Sequence, residues 1–190
     1  MTRIYFVRHA EPIHSWQDDR TRPLTNAGLN DSNEVTETLR IAGIDCFYSS
    51  PYKRSMDTIL GCSIHYGKKI TTDERLRERE NGIVSNTREM IIKRWADFDY
   101  CEEKGESLNS VQKRNISAIS DILLKEKGKN VVVATHGTAL STILHFYNPG
   151  FTCDDFFRII DYMPYIIRLD FDGAINIDIE ELLIIRKPYL

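Results

Sequence analysis

The 190-residue sequence lacks the features of several common protein classes. It contains no low-complexity tract, no repeat with a period of about 20 to 50 residues, and only 10 glycines and 6 prolines, which argues against a disordered chain or a repeat array. It also lacks an excess of positive charge, since its formal net charge is -3. We therefore expect neither nucleic acid nor an anionic membrane as a partner.

The sequence also lacks the cysteine and leader patterns of exported or zinc-binding proteins. Cys46, Cys62, Cys101 and Cys153 are far apart, with no Cys-x-x-Cys pair and no histidine at zinc-site spacing, so we expect reduced, mostly buried thiols and no bound metal. The N-terminus has no long apolar run, because charged residues appear by Arg8. This predicts a cytoplasmic protein without a signal peptide or membrane span.

The composition and the order of elements are typical of a globular α/β protein. A hydrophobic content of 42% and a charged content of 28% suit a single domain over residues 1–190. Two apolar runs, at 3–9 and 130–137, have the continuous Val and Ile content of buried parallel strands. Segments with helical spacing alternate with shorter strand-like runs at 46–48 and 69–71. This order predicts a layered α/β fold.

Local start and stop signals predict three of the helices. Thr25 is an N-cap residue for a helix over 26–41, and a proline in the first turn predicts a second helix over 51–65. Ser107 caps a third helix, which Gly128 closes.

The C-terminal part has strand periodicity instead. Residues 165–180 contain two alternating runs of apolar and polar residues, joined at Asp172-Gly173, a sequence that favours a tight hairpin turn. We expect two antiparallel strands at an edge of the sheet.

The two most apolar strands each end in a histidine. Arg8-His9 follows the first strand, and His136-Gly137 follows the last. Ligands of open α/β sheets bind at the carboxyl ends of the strands. The placement of these residues therefore predicts a site at that edge.

Six motifs, in order over about residues 2 to 140, closely resemble those of the histidine phosphatase superfamily, also called the phosphoglycerate mutase-like family. The first, FVRHAEP, is similar to the family's Arg-His-Gly-Glu strand end, with Ala10 in place of the usual glycine. The family's Leu-Thr and Gly motif at the start of the first helix is found here at 23–28, and its segment with Ser-Pro, Arg and Thr at 49–58. The acid-bearing segment is at 76–82, Gly-Glu-Ser at 105–107 and Thr-His-Gly at 135–137. The resemblance implies a three-layer α/β/α sandwich with a mostly parallel central sheet and an antiparallel edge.

The resemblance also implies a phosphate-binding site. Arg8, Arg54 and His136 are the expected ligands, because two guanidiniums and a protonated imidazole neutralise phosphoryl oxygens with directional hydrogen bonds. Gly137 and Thr138 lie at a predicted helix start, where backbone N–H groups favour an anion.

Two further residues are expected to carry the reaction. His9 is the nucleophile, and it requires a neutral imidazole whose other nitrogen is held by an acceptor such as a backbone carbonyl. Glu78 is expected to protonate the leaving oxygen and later to deprotonate water. Glu80 lies two residues further on, and the sequence leaves open whether it shares or replaces that role. Neither a metal nor another cofactor is required.

The expected activity is hydrolysis of a small phosphomonoester whose identity the sequence does not specify. The first alternative is phosphoglycerate mutase activity, which is disfavoured by the short segment 83–104 and by the acidic Asp18-Asp19 pair in the loop after the nucleophile. The second is a catalytically silent domain that binds a phosphorylated ligand. His14, in the same loop, is a candidate for specificity. The oligomeric state remains open.

Overall fold

A six-stranded mixed sheet forms the middle layer of the molecule in a computed structural model, which describes residues 1–84 and 86–187. The strand order is β3-β2-β4-β1-β5-β6. The first four strands in this order are mutually parallel, whereas β5 is antiparallel to both of its neighbours, β1 and β6. The strands are β1 (Thr2–Arg8), β2 (Cys46–Ser49), β3 (Ile70–Thr72), β4 (Asn130–Thr135), β5 (Tyr162–Asp172) and β6 (Ile175–Arg186). The predicted mostly parallel sheet with an antiparallel edge is confirmed.

Helices cover both faces of this sheet. They are α1 (Asn26–Leu39), α2 (Lys53–His65), α3 (Arg88–Ala96), α4 (Leu108–Lys125), α5 (Gly137–Tyr147) and α6 (Cys153–Ile159), with a 3₁₀ turn at Glu74–Leu76. One core packs α1 and α2 against Tyr5 and Val7 of β1, and the other packs α4, α5 and α6 against Ile4 and Phe6. Because both faces of β1 and β4 are buried, their apolar residues are continuous and do not alternate. The three-layer sandwich is therefore confirmed.

The predicted helix starts are correct at two of three places. Thr25 accepts a hydrogen bond from the N–H of Gly28, and Ser107 accepts one from that of Ser110. The helix predicted from residue 51 instead begins at Lys53, because Tyr52 has extended backbone angles. Ser50 accepts from the N–H of Tyr52 and so closes a turn before the helix.

Other boundaries shift by a few residues. The first predicted helix ends at Leu39 instead of residue 41, and the predicted hairpin strands are longer, over Tyr162–Asp172 and Ile175–Arg186.

The thiols are free, but the prediction that they are mostly buried is wrong. Cys62 is buried, Cys46 and Cys153 are half-buried, and Cys101 is exposed. In the part of the chain that the structure describes, no helix combines the length and apolarity needed to cross a membrane.

Candidate active site

The two strand-end histidines lie side by side. β1 and β4 are parallel neighbours with Arg8 paired to Thr135, so the residues that follow each strand emerge at the same edge of the sheet. The rings of His9 and His136 are 5.2 Å apart, edge to face, and both side chains are buried. The structure thus brings together the two histidines that the sequence analysis singled out.

His9 is held in one tautomer. Its Nδ1 lies 2.8 Å from the carbonyl oxygen of Ala10, and because a carbonyl only accepts, Nδ1 carries the proton and Nε2 carries the lone pair. Burial lowers the pKa of His9 well below 6.5, and the positive charges of Arg54 and Arg8 lower it further. Both effects favour the neutral imidazole that a nucleophile requires.

His136 has one nitrogen held and one unused. Its Nε2 lies 2.8 Å from Ser50 Oγ, whereas its buried Nδ1 makes no hydrogen bond to any of residues 1–84 and 86–187. A buried nitrogen without a protein partner is suited to bind a ligand. Burial and the nearby charges of Arg54 and His9 lower the pKa of His136 well below 6.5. The expected protonated form thus requires the negative charge of a bound anion.

Arg54 lies in the first turn of α2 and points into the cleft. Its side chain is 4% exposed, so it is not solvated at the surface. Nη1 donates to the carbonyl oxygen of Asp19 at 2.6 Å and lies 3.1 Å from its carboxylate. The same carboxylate pairs with Arg22 at 2.8 Å. The acidic loop is therefore tied to the arginine that is expected to bind phosphate.

Arg8 is anchored by the end of α6. Its Nη1 donates to the carbonyl oxygens of Ile159 and Ile160, at 2.7 and 2.8 Å, at the C-terminal end of α6. The guanidinium packs against Gly137, where an added Cβ would lie only 3.2 Å from Arg8 Cζ. The glycine thus leaves room for the guanidinium beside the start of α5.

The structure places Glu78, and not Glu80, in the cleft. Glu78 Oε2 accepts from the backbone N–H of Thr138, and Oε1 accepts from that of Ala139, each at 3.1 Å, at the N-terminus of α5. Glu80 is exposed at the surface. The Thr138 N–H, expected to contact phosphate, is occupied by the carboxylate in this structure.

The cleft extends beyond these residues and measures about 850 Å³ when its open mouth is included. His14, Asp19 and Arg22 form one wall, as expected for the loop after His9. The rest of the wall contains residues that the sequence analysis did not single out individually, namely Arg79, Asn81, Asn86, Arg94 and Trp95. No local pattern marks them, because their place in the wall results from packing between distant segments.

The cleft is suited to an anion. The guanidinium groups of Arg8 and Arg54 line the cleft together with His9, whereas His136 is fully buried beside His9 and does not itself line the cleft. Among the described residues, no group of three or more His, Cys, Asp or Glu side chains is arranged to hold a metal ion.

The fold and the cleft together define an α/β protein with cationic groups at its strand ends. A family model described as "Histidine phosphatase superfamily (branch 1)" matches residues 4–173. The chain belongs to this superfamily.

Several known proteins are similar to this chain over most of its length. "Probable phosphoglycerate mutase GpmB" of Yersinia pestis (strain Pestoides F) is 26% identical over 160 residues, which cover 76% of this chain and 74% of that protein. Among solved structures, "Bacillus stearothermophilus YhfR" has a TM-score of 0.77 at 24% identity and covers 93% of this chain and 94% of its own. A phosphoserine phosphatase of Entamoeba histolytica, in complex with 3-phosphoglyceric acid, has a TM-score of 0.76 at 21% identity, with the same two coverages. The two structures show the same fold.

Proposed function

We propose that the protein is a metal-independent phosphomonoester hydrolase, a single domain over residues 1–190, with a phosphohistidine intermediate on His9. The observation that carries the proposal is the hydrogen bond between His9 Nδ1 and the carbonyl of Ala10. It leaves Nε2 as the nitrogen available to a substrate in the cleft that His9 lines.

In the first half-reaction, His9 Nε2 attacks phosphorus, and the bond from phosphorus to the ester oxygen breaks. Arg8, Arg54 and His136 bind the phosphoryl oxygens, and Glu78 gives its proton to the leaving oxygen. The negative charge of a bound phosphate favours the protonated form of a neighbouring carboxyl group. The products are an alcohol and phosphohistidine.

In the second half-reaction, water attacks the phosphohistidine. Glu78, now a carboxylate, takes a proton from the water, and the bond between nitrogen and phosphorus breaks. Inorganic phosphate leaves, and His9 returns to its neutral form with Glu78 protonated. The position of Glu78 beside Thr138 and Ala139, at the helix start next to Arg8, supports one carboxyl group acting in both steps.

Mutase activity is the second candidate, and the similarity to the probable phosphoglycerate mutase of Yersinia favours it. The short segment 83–104 still favours hydrolysis, because a mutase has to retain a reoriented intermediate away from water. A silent binding domain is the third candidate, and the presence of both His9 and Glu78 in the cleft argues against it. We place the protein in the cytoplasm, where its four free thiols would remain reduced.

The test measures inorganic phosphate released from an aryl phosphate and a panel of small phosphomonoesters in the presence of EDTA. The panel starts with phosphoserine and 3-phosphoglycerate, which are bound in two solved structures of similar fold. We expect EDTA-resistant turnover that falls by a factor of about 1,000 or more in His9→Ala. His65→Ala, which changes an exposed histidine of α2, is the control and should retain full activity.

Full activity in His9→Ala would exclude the proposed mechanism. If no substrate releases phosphate, interconversion of phosphoglycerates with a bisphosphoglycerate primer distinguishes a mutase from a silent binding domain.

A further inference from the structure

Arg114 of α4 holds the segment that carries Glu78. Its Nη1 donates to the carbonyl oxygens of Arg75 and Arg77, both at 2.7 Å, and its Nη2 donates to that of Glu78 at 3.0 Å. This segment leaves the 3₁₀ turn at Glu74–Leu76 and then has no strand or helix of its own. Arg114 therefore supplies hydrogen bonds that regular structure would otherwise provide.

Glu106 completes this arrangement from the residue before the N-cap of α4. Its two carboxylate oxygens accept from Nε and Nη2 of Arg114, at 2.7 and 2.9 Å. The carboxylate also accepts from Arg77 Nη1 at 3.0 Å and from the backbone N–H of Glu80 at 3.2 Å, and the Glu106 N–H donates back to the Glu80 carbonyl. Residues on both sides of Glu78 are thus bound to the same ion pair.

The hydrogen bonds of Arg114 in this ion pair are specific to a guanidinium group. A guanidinium has five N–H groups in a planar fork, and the contacts of Arg114 with three carbonyls and one carboxylate use all of them. The side chains of Arg114 and Glu106 are only 15% and 13% exposed, so solvent screens the pair less than it screens a surface ion pair. A lysine could not reproduce this set of contacts.

We propose that Arg114 and Glu106 are positioning residues for Glu78. They hold the backbone at Glu78 so that its carboxyl group reaches the start of α5, beside the expected phosphate position. The inference rests on the proposed function, in which Glu78 protonates the leaving oxygen. Neither Arg114 nor Glu106 lines the cleft, so each would act only through Glu78.

The positioning role predicts a loss of activity that depends on the leaving group of the substrate, whereas general damage to the fold would slow all substrates alike. An alkyl phosphate has a poor leaving group and needs the proton from Glu78, whereas the nitrophenolate of nitrophenyl phosphate leaves as a stable anion without it. A displaced Glu78 should therefore slow cleavage of the alkyl ester selectively. Because kcat/KM reports steps up to the departure of the leaving group, it is the quantity to compare.

The experiment compares kcat/KM of Arg114→Gln with that of the unchanged protein, for an alkyl phosphate and for nitrophenyl phosphate. We expect a loss of about 10- to 100-fold for the alkyl ester and of less than about 3-fold for the aryl ester. Arg114→Lys should recover only part of the loss, because it keeps the charge without the planar fork. In a Glu78→Gln background, Arg114→Gln should add little further loss.

Arg75→Gln is the matched control. Arg75 ties the same 3₁₀ turn to α4 through Ser117 and Asp121, at 2.9 and 2.8 Å, but does so at the surface and away from Glu78. Both substrates should stay within about 2-fold of their original rates. If Arg114→Gln does not fold, Glu106→Gln serves as the test variant, because it keeps the side-chain shape while weakening the pair.

An equal loss for both esters, or no loss, would overturn the positioning role. If Glu78→Gln itself shows no dependence on the leaving group, the proton-donor role of Glu78 is wrong and the inference falls with it. Failure of the proposed function as a whole is recognised separately, by full activity in His9→Ala.

Discussion

The chemical state of His9 and His136 depends on a few immediate neighbours. The carbonyl of Ala10 keeps the proton of His9 on Nδ1, while burial and the charges of Arg54 and Arg8 oppose a second proton. His136 experiences the same burial and the charge of Arg54. In the free protein both rings are therefore neutral over a range in which an exposed histidine would be charged.

The titration of these two rings can be followed by NMR in a buffer without phosphate. We expect His9 and His136 to take up protons with midpoints below 6.5, the ordinary value, because burial disfavours the charged form. In the unfolded chain the same residues should titrate near 6.5. The free energy of unfolding should therefore fall as the pH drops below 6.5. A midpoint at or above 6.5 for His9 would contradict this account.

At the element scale, a buried cluster of charges joins α3 to loop residues that line the cleft. The carboxylate of Glu102 lies 3.2 Å from Arg79 Nη2 and forms an ion pair with Arg94 of α3, and these three side chains are 2–3% exposed. Arg94 also donates to Asn86 at 2.8 Å. Burial and the charge of Arg94 lower the pKa of Arg79, and the nearby carboxylate of Glu102 opposes this shift.

We expect Glu102→Gln to destabilise the protein by about 3–5 kcal/mol, because it leaves two buried guanidiniums without their counter-charge. Urea denaturation measures this loss. Glu103→Gln changes the exposed neighbour and should cost less than about 0.5 kcal/mol. If the two variants unfold at the same urea concentration, the cluster does not hold the wall together.

At the scale of the whole molecule, the sign of the charge in the cleft is opposite to that of the chain. The net charge is -3, yet five arginines of the described residues line the cleft against two carboxylates, those of Asp19 and Glu78. The arginines are Arg8, Arg22, Arg54, Arg79 and Arg94. A cleft with one dominant sign of charge concentrates its field on an entering anion.

The value of kcat/KM for a phosphomonoester dianion should therefore fall several-fold as ionic strength rises from about 20 mM to about 200 mM. The value of kcat at saturating substrate should change much less, because the bound phosphate is shielded from salt. Steady-state kinetics at constant pH measures both. A kcat/KM that is insensitive to salt would show that the cleft does not attract substrate over a distance.

The sequence by itself determined the features that depend on local pattern. Continuous apolar runs identify β1 and β4, and parallel strands have their carboxyl ends at one edge of a sheet, so the proximity of His9 and His136 could be predicted. Thr25 and Ser107 cap their helices because each side-chain oxygen reaches an N–H only three residues away.

Only the tertiary structure decided which loop side chains enter the cleft. Glu78 and Glu80 lie in the same acidic run, and the choice between them depends on Arg114 and Glu106, about 30 residues further along the chain. Likewise, the hydroxyl of Ser50, directly after β2, contacts His136, directly after the neighbouring strand β4. A loop has no internal ladder of hydrogen bonds, so the direction of its side chains is set by contacts with residues distant in sequence.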